Sequence, residues 1–380
     1  MGRPAATRQR LMEASLPQSA YCDATVFADE QRLAMAPSWV CIGRADSVGS
    51  TPGSYRLVPV AGENVLVVRD SDGVLGAFAN RCMHRGTELV DSTSEVTEPA
   101  CFDNVIRCPY HFWAYGFDGA LRTSPWVDDL DRAEFGLRSF AIDQWGGFTF
   151  VRLDPDGPSL LEEVGPIASR VVRFPLDRLV VGGTIVYDVA ANWKVIAENY
   201  NECYHCGPVH PELCDLVPSF RVRGGAALDW ELGIPHRPGA DTYTLTGTST
   251  RASFPGLTEV EQVNHFGELI YPNLMLSLSR DHVAAFILRP DAAARTTIEC
   301  QFLFHPDEVA KPGFDPSDAA DFWHVVNLQD WAICERVQRG MNSRTFDHGW
   351  YAPMENPSLD IRRWWTNAMR DVRNPTAHLS

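Results

Sequence analysis

The 380-residue sequence predicts an α+β protein, in which a small all-β domain precedes a larger domain whose antiparallel sheet is flanked by helices. Two observations support this fold class. Short apolar runs between residues 39 and 153 alternate with tight-turn signals such as Asp72-Gly73 and Asp118-Gly119. Beyond residue 180, strand-like runs are grouped together, with helical patterns before and after them. We therefore expect an N-terminal helical segment (1–40), an all-β domain (41–155) and an α+β domain (156–380).

The N-terminal part is predicted from its breakers and apolar runs. Residues 5–40 suggest two short helical segments around a Ser-Leu-Pro break, the second ended by Pro37. The expected strands of the all-β domain start at Trp39, Tyr55, Asn64, Val74 and Gly147. The Pro- and Asp-rich stretch 154–158 then predicts the boundary between the domains.

The second part combines long strands with helices. A strand at 180–189 leads into a helix that begins near Asn192, a favourable cap residue. A helix is expected at 317–339, after an Asp-Pro-Ser-Asp start signal. Between these helices the apolar pattern predicts four further strands, at 269–271, 274–278, 283–288 and 297–304.

Charge and composition exclude some partners. A formal charge of −16 argues against a nucleic-acid partner, because phosphate binding requires a basic face. No signal-like apolar run is present, and none approaches the ~20 residues of a membrane span. We therefore predict a cytoplasmic protein that does not bind membranes. In a reducing compartment its ten cysteines are expected to be ligands or buried thiols rather than disulfides.

One candidate metal site lies in the all-β domain. Cys82-Met-His84 and Cys108-Pro-Tyr-His111 each offer one thiolate and one imidazole from a short loop. A [2Fe–2S] cluster can use two cysteines on one iron and two histidines on the other. The alternative is a Cys2His2 zinc site, although zinc motifs usually place both cysteines in one pair and both histidines in the other.

A second candidate site surrounds His205 and His210, which Gly207-Pro208 separates by ending the helix between them. Two imidazoles and one carboxylate would leave open positions on a non-haem iron. On the helix 317–339, Asp330 shares a face with an apolar stripe, and a carboxylate facing a core is costly unless it is paired or bound to metal. A buried ion pair or a cap is the alternative role for Asp330, and Asp215 is a weaker rival ligand. The apolar stripe consists of Phe322, Val326, Ile333 and Val337.

Together these motifs resemble the large subunit of Rieske non-haem iron oxygenases. The resemblance implies a Rieske domain followed by a helix-grip, START-like catalytic domain. It implies a [2Fe–2S] cluster on Cys82, His84, Cys108 and His111, and a mononuclear Fe(II) on His205, His210 and Asp330. The chain departs from the family in one respect, because 23 residues separate His84 from Cys108.

The same resemblance implies how electrons and oxygen are used. Glu202 would bridge the cluster of one subunit to the iron of the next in a trimeric homo-oligomer, with O2 as co-substrate. A Glu here, where most relatives have Asp, is similar to oxygenases of quaternary amines. Electrons from NAD(P)H would arrive through a separate flavin/iron–sulfur reductase. Cys203 and Cys206 are expected to be buried thiols that pack near the site.

The second half most resembles the branch that oxidises glycine betaine, stachydrine and carnitine. A small quaternary-ammonium substrate is therefore expected to be hydroxylated or oxidatively N-demethylated, with an aromatic or natural-product substrate as the alternative. A Rieske electron carrier and a zinc-stabilised binding protein are the alternatives from other classes. Aromatic faces suit a quaternary ammonium, and five aromatic side chains are available for it: Trp230, Tyr243, Tyr271, Phe286 and Phe304.

Overall fold

The computed structural model describes residues 12–93 and 100–370. Its strands are β1 (Glu13–Pro17), β2 (Val40–Arg44), β3 (Ser54–Val60), β4 (Glu63–Arg69), β5 (Leu75–Ala79), β6 (Ala100–Cys101), β7 (Ile106–Arg107), β8 (Ala114–Tyr115), β9 (Leu121–Thr123), β10 (Ser139–Trp145), β11 (Phe148–Arg152), β12 (Val180–Val189), β13 (Ile234–Pro235), β14 (Asn264–Ile270), β15 (Leu274–Leu278), β16 (His282–Ala292), β17 (Arg295–Phe304) and β18 (His348–Tyr351). Its α-helices are α1 (Ser19–Cys22), α2 (Ala24–Glu30), α3 (Leu160–Arg170), α4 (Trp193–Tyr200), α5 (Cys206–Val209), α6 (Pro211–Leu216), α7 (Pro306–Val309), α8 (Ser317–Met341) and α9 (Leu359–Ala368).

Two antiparallel sheets make up the N-terminal β structure. A seven-stranded sheet has the order β2-β11-β10-β5-β4-β3-β6, and a small sheet has the order β7-β8-β9. Strand β4 lies inside the first sheet between β5 and β3, and its residues Val65 to Val68 are all completely buried. The loop with Cys108 and His111 connects β7 and β8 of the small sheet, whereas Cys82 and His84 follow β5 of the large one. We propose that this unit ends near residues 154–158, where the Arg152 side chain donates hydrogen bonds to backbone carbonyls.

The second large sheet is antiparallel, with the order β12-β17-β16-β15-β14-β13. Both of its faces are buried, and alternate residues of a strand serve alternate faces. On β15, Leu274, Leu276 and Leu278 pack toward the first domain and α3, whereas Met275 packs toward α8. The sheet therefore fixes α8 on one side and the N-terminal β structure on the other.

Two helices on the α8 side of the sheet carry the second site. Helix α4 begins as predicted, with the Asn192 side chain accepting a hydrogen bond from the Lys194 backbone N–H (3.0 Å). Helix α8 begins at Ser317 as predicted and ends at Met341. Neither these helices nor any other among residues 12–93 and 100–370 has both the length and the apolar character needed to cross a membrane.

The structure adds a strand to the predicted N-terminal segment. Around the expected Ser-Leu-Pro break, Glu13–Pro17 forms β1, which pairs with β18 near the other end of the chain. The second expected helix forms as α1 and α2, followed by a π-helical turn at Gln31–Met35. The expectations for residues before 12 lie outside the described residues, as do residues 94–99 of the long loop between His84 and Cys108.

A buried ion pair joins this N-terminal segment to α4. The Lys194 ammonium donates to the Glu30 carboxylate, and both side chains are completely buried. Trp193 Nε1 and Trp365 Nε1 also donate to that carboxylate, each at 2.5 Å. Because every charge is hydrogen-bonded, the pair tolerates its burial, but removing one partner would leave an uncompensated charge.

We expect Lys194→Met to destabilise the protein by about 3–5 kcal/mol, since the Glu30 carboxylate would stay buried without its cation. Urea unfolding followed by circular dichroism measures the shift in midpoint. The matched control is Lys311→Met, which removes the exposed partner of Glu308 and should cost at most about 1 kcal/mol. Equal shifts for the two variants would show that the buried pair is not specially important.

Candidate metal centres

The four predicted cluster ligands come together at the tip of the N-terminal β structure. Cys82 and Cys108 are buried, His84 is exposed and His111 is half-buried, so the sulfurs lie inside and the imidazoles outside. The two imidazole rings are 4.7 Å apart between centroids, at 72° to each other. Burial raises the pKa of the Cys82 thiol, and the adjacent Cys108 thiol adds to this rise. This donor set of two sulfurs and two nitrogens fits a [2Fe–2S] cluster of the mixed-ligand type.

Neighbouring side chains fix the cluster ligands in place. The His84 ring stacks on Trp113 at 4.9 Å, and the two planes are 8° from parallel. Phe112 has a left-handed backbone conformation (φ 61°), which points its side chain outward while Trp113 turns inward. Trp113 therefore shields the cluster site, whereas Phe112 is exposed. Cys101 lies exposed on β6 beside the Pro52 carbonyl and is not part of this donor set.

The hydroxyl of Tyr115 is a contact that the sequence did not suggest. It lies 3.1 Å from Cys82 Sγ and accepts a hydrogen bond from the Met83 backbone N–H at 3.1 Å. A cluster-bound Cys82 sulfur carries no proton and can only accept, so the Tyr115 hydroxyl would donate to it. Hydrogen bonds to cluster sulfurs raise the reduction potential.

We expect Tyr115→Phe to lower the midpoint potential of the cluster by roughly 40 mV, which corresponds to a net hydrogen bond of about 1 kcal/mol for one electron. Redox titration of the visible absorbance provides the measurement. Tyr55→Phe, which changes a tyrosine stacked on Phe102, is the control and should leave the potential unchanged. An unshifted potential in Tyr115→Phe would contradict this role of its hydroxyl.

The second predicted site forms where α4, α5, α6 and α8 meet. His210 Nε2 lies 2.9 Å from Asp330 Oδ1, and His205 Nε2 lies 3.3 Å from the same oxygen. Two atoms that each lie about 2.1 Å from a metal, at right angles, are about 3.0 Å apart. The three side chains therefore have the spacing of one face of a metal coordination sphere.

The outer nitrogens of both imidazoles are held by other side chains. His205 Nδ1 donates to Glu202 Oε1 at 2.6 Å, and His210 Nδ1 donates to Gln329 Oε1 at 2.8 Å. The Gln329 amide is itself oriented because its Nε2 donates to Glu212 at 2.8 Å. Each histidine therefore presents Nε2 to the metal position, with its tautomer fixed from outside.

The charges of this site are strongly coupled. Burial alone would lower the pKa of His205, but hydrogen bonds with Asp330 and Glu202 outweigh it and raise the pKa to about 10. Burial would likewise raise the pKa of Asp330, but the two histidines lower it to about 2. The carboxylate is therefore ionised at neutral pH, as a metal ligand must be.

Local structure differs from the sequence prediction in three respects. Helix α4 ends at Tyr200 and a second break falls at His210, so Gly207-Pro208 lies inside α5 rather than ending a helix. Glu202 precedes His205 on irregular backbone, yet their side chains meet. Along α8, Val337 is exposed and Ile333 is only half-buried, so the apolar stripe is rotated from the predicted one. The buried residues of α8 are Ala319, Phe322, Trp323, Val326, Asn327, Trp331, Cys334, Gln338 and Met341.

Other candidate ligands are less well placed. Asp215 is largely exposed and pairs with Arg221 at 2.8 Å, away from the histidines. Glu198 points away from the site and accepts hydrogen bonds from Tyr21 (2.7 Å) and Tyr351 (2.8 Å). Burial raises the pKa of Glu198 to about 7, although these two hydrogen bonds act in the opposite direction.

The two cysteines beside His205 are not the free thiols that the sequence predicted. Cys203 and Cys206 form a disulfide, so neither sulfur is a thiolate. Ligand atoms of His205, Cys206 and His210 do lie within 4.8 Å of one another. Cys206 Sγ is nevertheless 3.9 Å from His205 Nε2, farther than Asp330 Oδ1, which leaves Asp330 the better third ligand.

A cavity of about 200 Å³ opens onto the ligand set and separates it from the sheet. Most of its wall is aromatic or aliphatic, and the polar groups are concentrated near the histidines. Asn199 Nδ2 lies 3.2 Å from His205 Nε2 and so contacts the metal position directly. The principal aromatic side chains of the wall are Tyr200, Phe220, Trp230, Tyr243, Phe286 and Trp323.

Two family models match the sequence. The Rieske [2Fe-2S] domain matches residues 38–140, and the ring hydroxylating alpha subunit (catalytic domain) matches residues 176–371, more than half of the chain. A [2Fe–2S] domain joined to a catalytic domain for mononuclear iron defines the Rieske non-haem iron oxygenases. This chain belongs to their ring-hydroxylating alpha-subunit family. The predicted enzyme class, fold class and two iron cofactors are confirmed, and the zinc and electron-carrier alternatives are wrong.

Individual relatives are similar over nearly the whole chain. The glycine betaine monooxygenase oxygenase subunit of Chromohalobacter salexigens is 27% identical, over 98% of this chain and 90% of the relative. The carnitine monooxygenase oxygenase subunit of Acinetobacter baumannii is 28% identical, over 87% of this chain and 86% of the relative.

Solved structures share the fold. The quaternary ammonium Rieske monooxygenase CntA, in complex with L-carnitine, superposes with a TM-score of 0.71 at 23% identity, covering 94% of this chain and 95% of that one. Naphthalene 1,2-dioxygenase from Rhodococcus sp., bound to indole, gives a TM-score of 0.72 at 19% identity, with 93% and 94% covered.

Proposed function

We propose that the protein is the terminal oxygenase component of a monooxygenase system that hydroxylates an N-methyl group of a small quaternary-ammonium substrate. The observation that carries this proposal is the aromatic-walled cavity that opens directly onto His205, His210 and Asp330. The names of the relatives, which are glycine betaine and carnitine monooxygenase oxygenase subunits, support the same substrate class.

The reaction balances as a monooxygenation. O2, two electrons and two protons convert the N–CH3 group to N–CH2OH and release one water. The carbinolamine then loses formaldehyde and leaves the demethylated amine. A separate NAD(P)H-dependent reductase is the proposed source of both electrons, which are delivered singly through the [2Fe–2S] domain.

The proposed ligands of the mononuclear iron are His205, His210 and Asp330. When bound, this iron supplies O2 activation, because two histidines and one carboxylate leave coordination positions open. Glu202 and Gln329 hold the imidazoles in the tautomer that presents Nε2. Asp330, on the rigid helix α8, places a single oxygen within 3.3 Å of both histidines and fixes the geometry of the set.

The cavity wall would hold the methylammonium group. A quaternary ammonium donates no hydrogen bonds and is attracted to the faces of aromatic rings. Tyr200 and Phe286 meet at 56°, and Phe286 and Trp323 meet at 75°, so adjacent rings surround a group rather than stack on it. Such a wall also excludes water from the N-methyl group next to the metal position.

Glu202 is the proposed bridge for electrons between subunits. One of its carboxylate oxygens contacts His205 Nδ1, and the other accepts from the backbone N–H groups of Tyr204 and His205. In a closed head-to-tail trimer, His111 of an adjacent subunit would contact the same carboxylate. The exposed apolar side chains beside the cluster histidines support a covered surface there, and they include Met83, Tyr110 and Phe112.

The proposal is tested by oxygen consumption with a reconstituted reductase. The substrate panel contains choline, glycine betaine, L-carnitine and aromatic acids, and formaldehyde is assayed in parallel. We expect a methylated ammonium compound to stimulate O2 uptake and to release formaldehyde in equal amounts. Turnover with an aromatic acid, and with no methylated amine, would overturn the proposed substrate class.

A further inference from the structure

We infer that the substrate of this cavity is a cation without a carboxylate, such as a methylated ammonium alcohol, rather than a zwitterion. The inference rests on the proposed function and narrows it. It follows from the charges that line the cavity, from the hydrogen bonds that its polar groups already make, and from the charge of the vestibule outside it.

The described residues of the cavity wall offer no lysine or arginine to a substrate. The acidic residues among them are Glu202 and Asp330, and both are engaged with the histidines of the proposed iron site. A carboxylate entering this cavity would lose its hydration without gaining a lysine or arginine partner, and burying an unpaired carboxylate is strongly unfavourable. An ammonium ion meets aromatic faces instead.

Several neutral donors of the wall have other partners, whereas the indole N–H groups of Trp323 and Trp331 have none among the described residues. The Tyr200 hydroxyl donates to the Leu276 carbonyl at 2.7 Å, and the Asn327 amide donates to the Tyr187 hydroxyl at 3.3 Å. His265 is buried, and its ring stacks on Tyr243 at 3.8 Å. Burial and two nearby histidines lower the pKa of His265 well below its usual value, so its imidazole is neutral. These groups suit a hydroxyl better than a carboxylate.

A larger cavity of about 800 Å³ adjoins the first and shares four lining residues with it, so we assign it as the entrance vestibule. The shared residues are Asn201, Trp230, Gly267 and Pro357. Four carboxylates line the vestibule against two guanidiniums, a balance of 2 − 4 = −2. The acidic residues are Glu231, Glu261, Glu268 and Asp360.

Both vestibule arginines are already engaged by those carboxylates. Arg170 forms a two-bond pair with Glu268, at 2.6 Å for each bond, and Arg173 pairs with Glu261 at 2.7 Å. Neither guanidinium is therefore available to a substrate carboxylate without breaking a pair. The net negative vestibule favours the approach of cations, in keeping with the −16 charge of the whole chain.

Calorimetric titration of the iron-loaded holoenzyme with choline, glycine betaine and L-carnitine tests this inference. Choline and glycine betaine carry the same trimethylammonium group, but choline has an alcohol where glycine betaine has a carboxylate. We expect choline to bind at least about tenfold more tightly than either zwitterion. The neutral analogue 3,3-dimethylbutanol, which has the shape of choline without its charge, should bind more weakly than choline.

A charge-introducing variant provides the second arm. Trp230 lines both cavities and is partly exposed, so Trp230→Arg should place a cation where the vestibule meets the inner cavity. The affinity for choline relative to that for glycine betaine should then decrease. Val222→Arg, at an exposed position outside both cavity linings, is the matched control and should leave the ratio unchanged.

The outcomes separate the two proposals. Glycine betaine or L-carnitine binding as tightly as choline would overturn the inference and leave the proposed function standing. If no methylated ammonium compound binds, the proposed function fails as well. The affinities of the wild-type protein for choline and for the two zwitterions decide the inference by themselves. A poorly folded Trp230→Arg therefore does not weaken the test.

Discussion

Asp330→Ala is expected to lose the mononuclear iron while keeping the [2Fe–2S] cluster. The change removes the one oxygen that lies within 3.3 Å of both His205 Nε2 and His210 Nε2, and two histidines alone hold iron weakly. Iron content should fall from about three atoms per chain to about two, with acid-labile sulfide unchanged. Substrate-dependent O2 uptake should disappear, and the visible spectrum of the cluster should remain.

The matched control for this experiment is Asp321→Ala, which removes an exposed carboxylate from the same helix. It should keep all of its iron and its activity. Full iron content in Asp330→Ala would exclude Asp330 as a ligand.

Glu202→Gln is expected to retain both metal centres and to slow electron transfer from the cluster to the mononuclear site by roughly 10- to 100-fold. The Gln amide keeps the shape of the Glu202 side chain but loses its negative charge. In the wild type this carboxylate accepts a hydrogen bond from His205 Nδ1 at 2.6 Å. Single-turnover oxidation of the reduced cluster, followed by stopped-flow absorbance, measures the rate. Iron and sulfide content confirm that the centres are intact.

Two comparisons make this result specific. Glu212→Gln changes a carboxylate that supports the other histidine through Gln329, and it should alter iron retention more than electron transfer. Glu202→Asp keeps the negative charge on a side chain that is shorter by one methylene group. It should therefore recover part of the rate of electron transfer that Glu202→Gln loses. Unchanged single-turnover kinetics in Glu202→Gln would rule out the bridge.

The sequence was most informative where local rules dominate. The cap at Asn192, the start of α8 and strand β15 agree closely with prediction, because each depends on neighbouring residues and a simple period. The position of Asp330 beside the histidines agrees with the family resemblance, since helical geometry placed it only on an apolar face of α8. Helical period alone did not give the exact buried face of α8, because the face that is covered depends on what packs against it.

Features set by distant contacts could not be predicted. Residues 13–17 form a strand only because β18 offers a partner near the other end of the chain. The role of Gln329 depends on the packing of α6 against α8, which brings Glu212 within 2.8 Å of it. The disulfide between Cys203 and Cys206 was missed because the compartment argument treats all cysteines alike.

The wide spacing of the two ligand sets along the chain has a consequence for biosynthesis. The proposed cluster ligands are complete by His111, whereas the proposed mononuclear set needs Asp330, which a ribosome adds 219 residues later. At about 5–20 residues per second this interval lasts roughly 10–40 s. A nascent chain therefore contains all the proposed ligands of its iron–sulfur cluster well before it contains those of its mononuclear iron. The cluster and the mononuclear iron can be inserted at different times during synthesis.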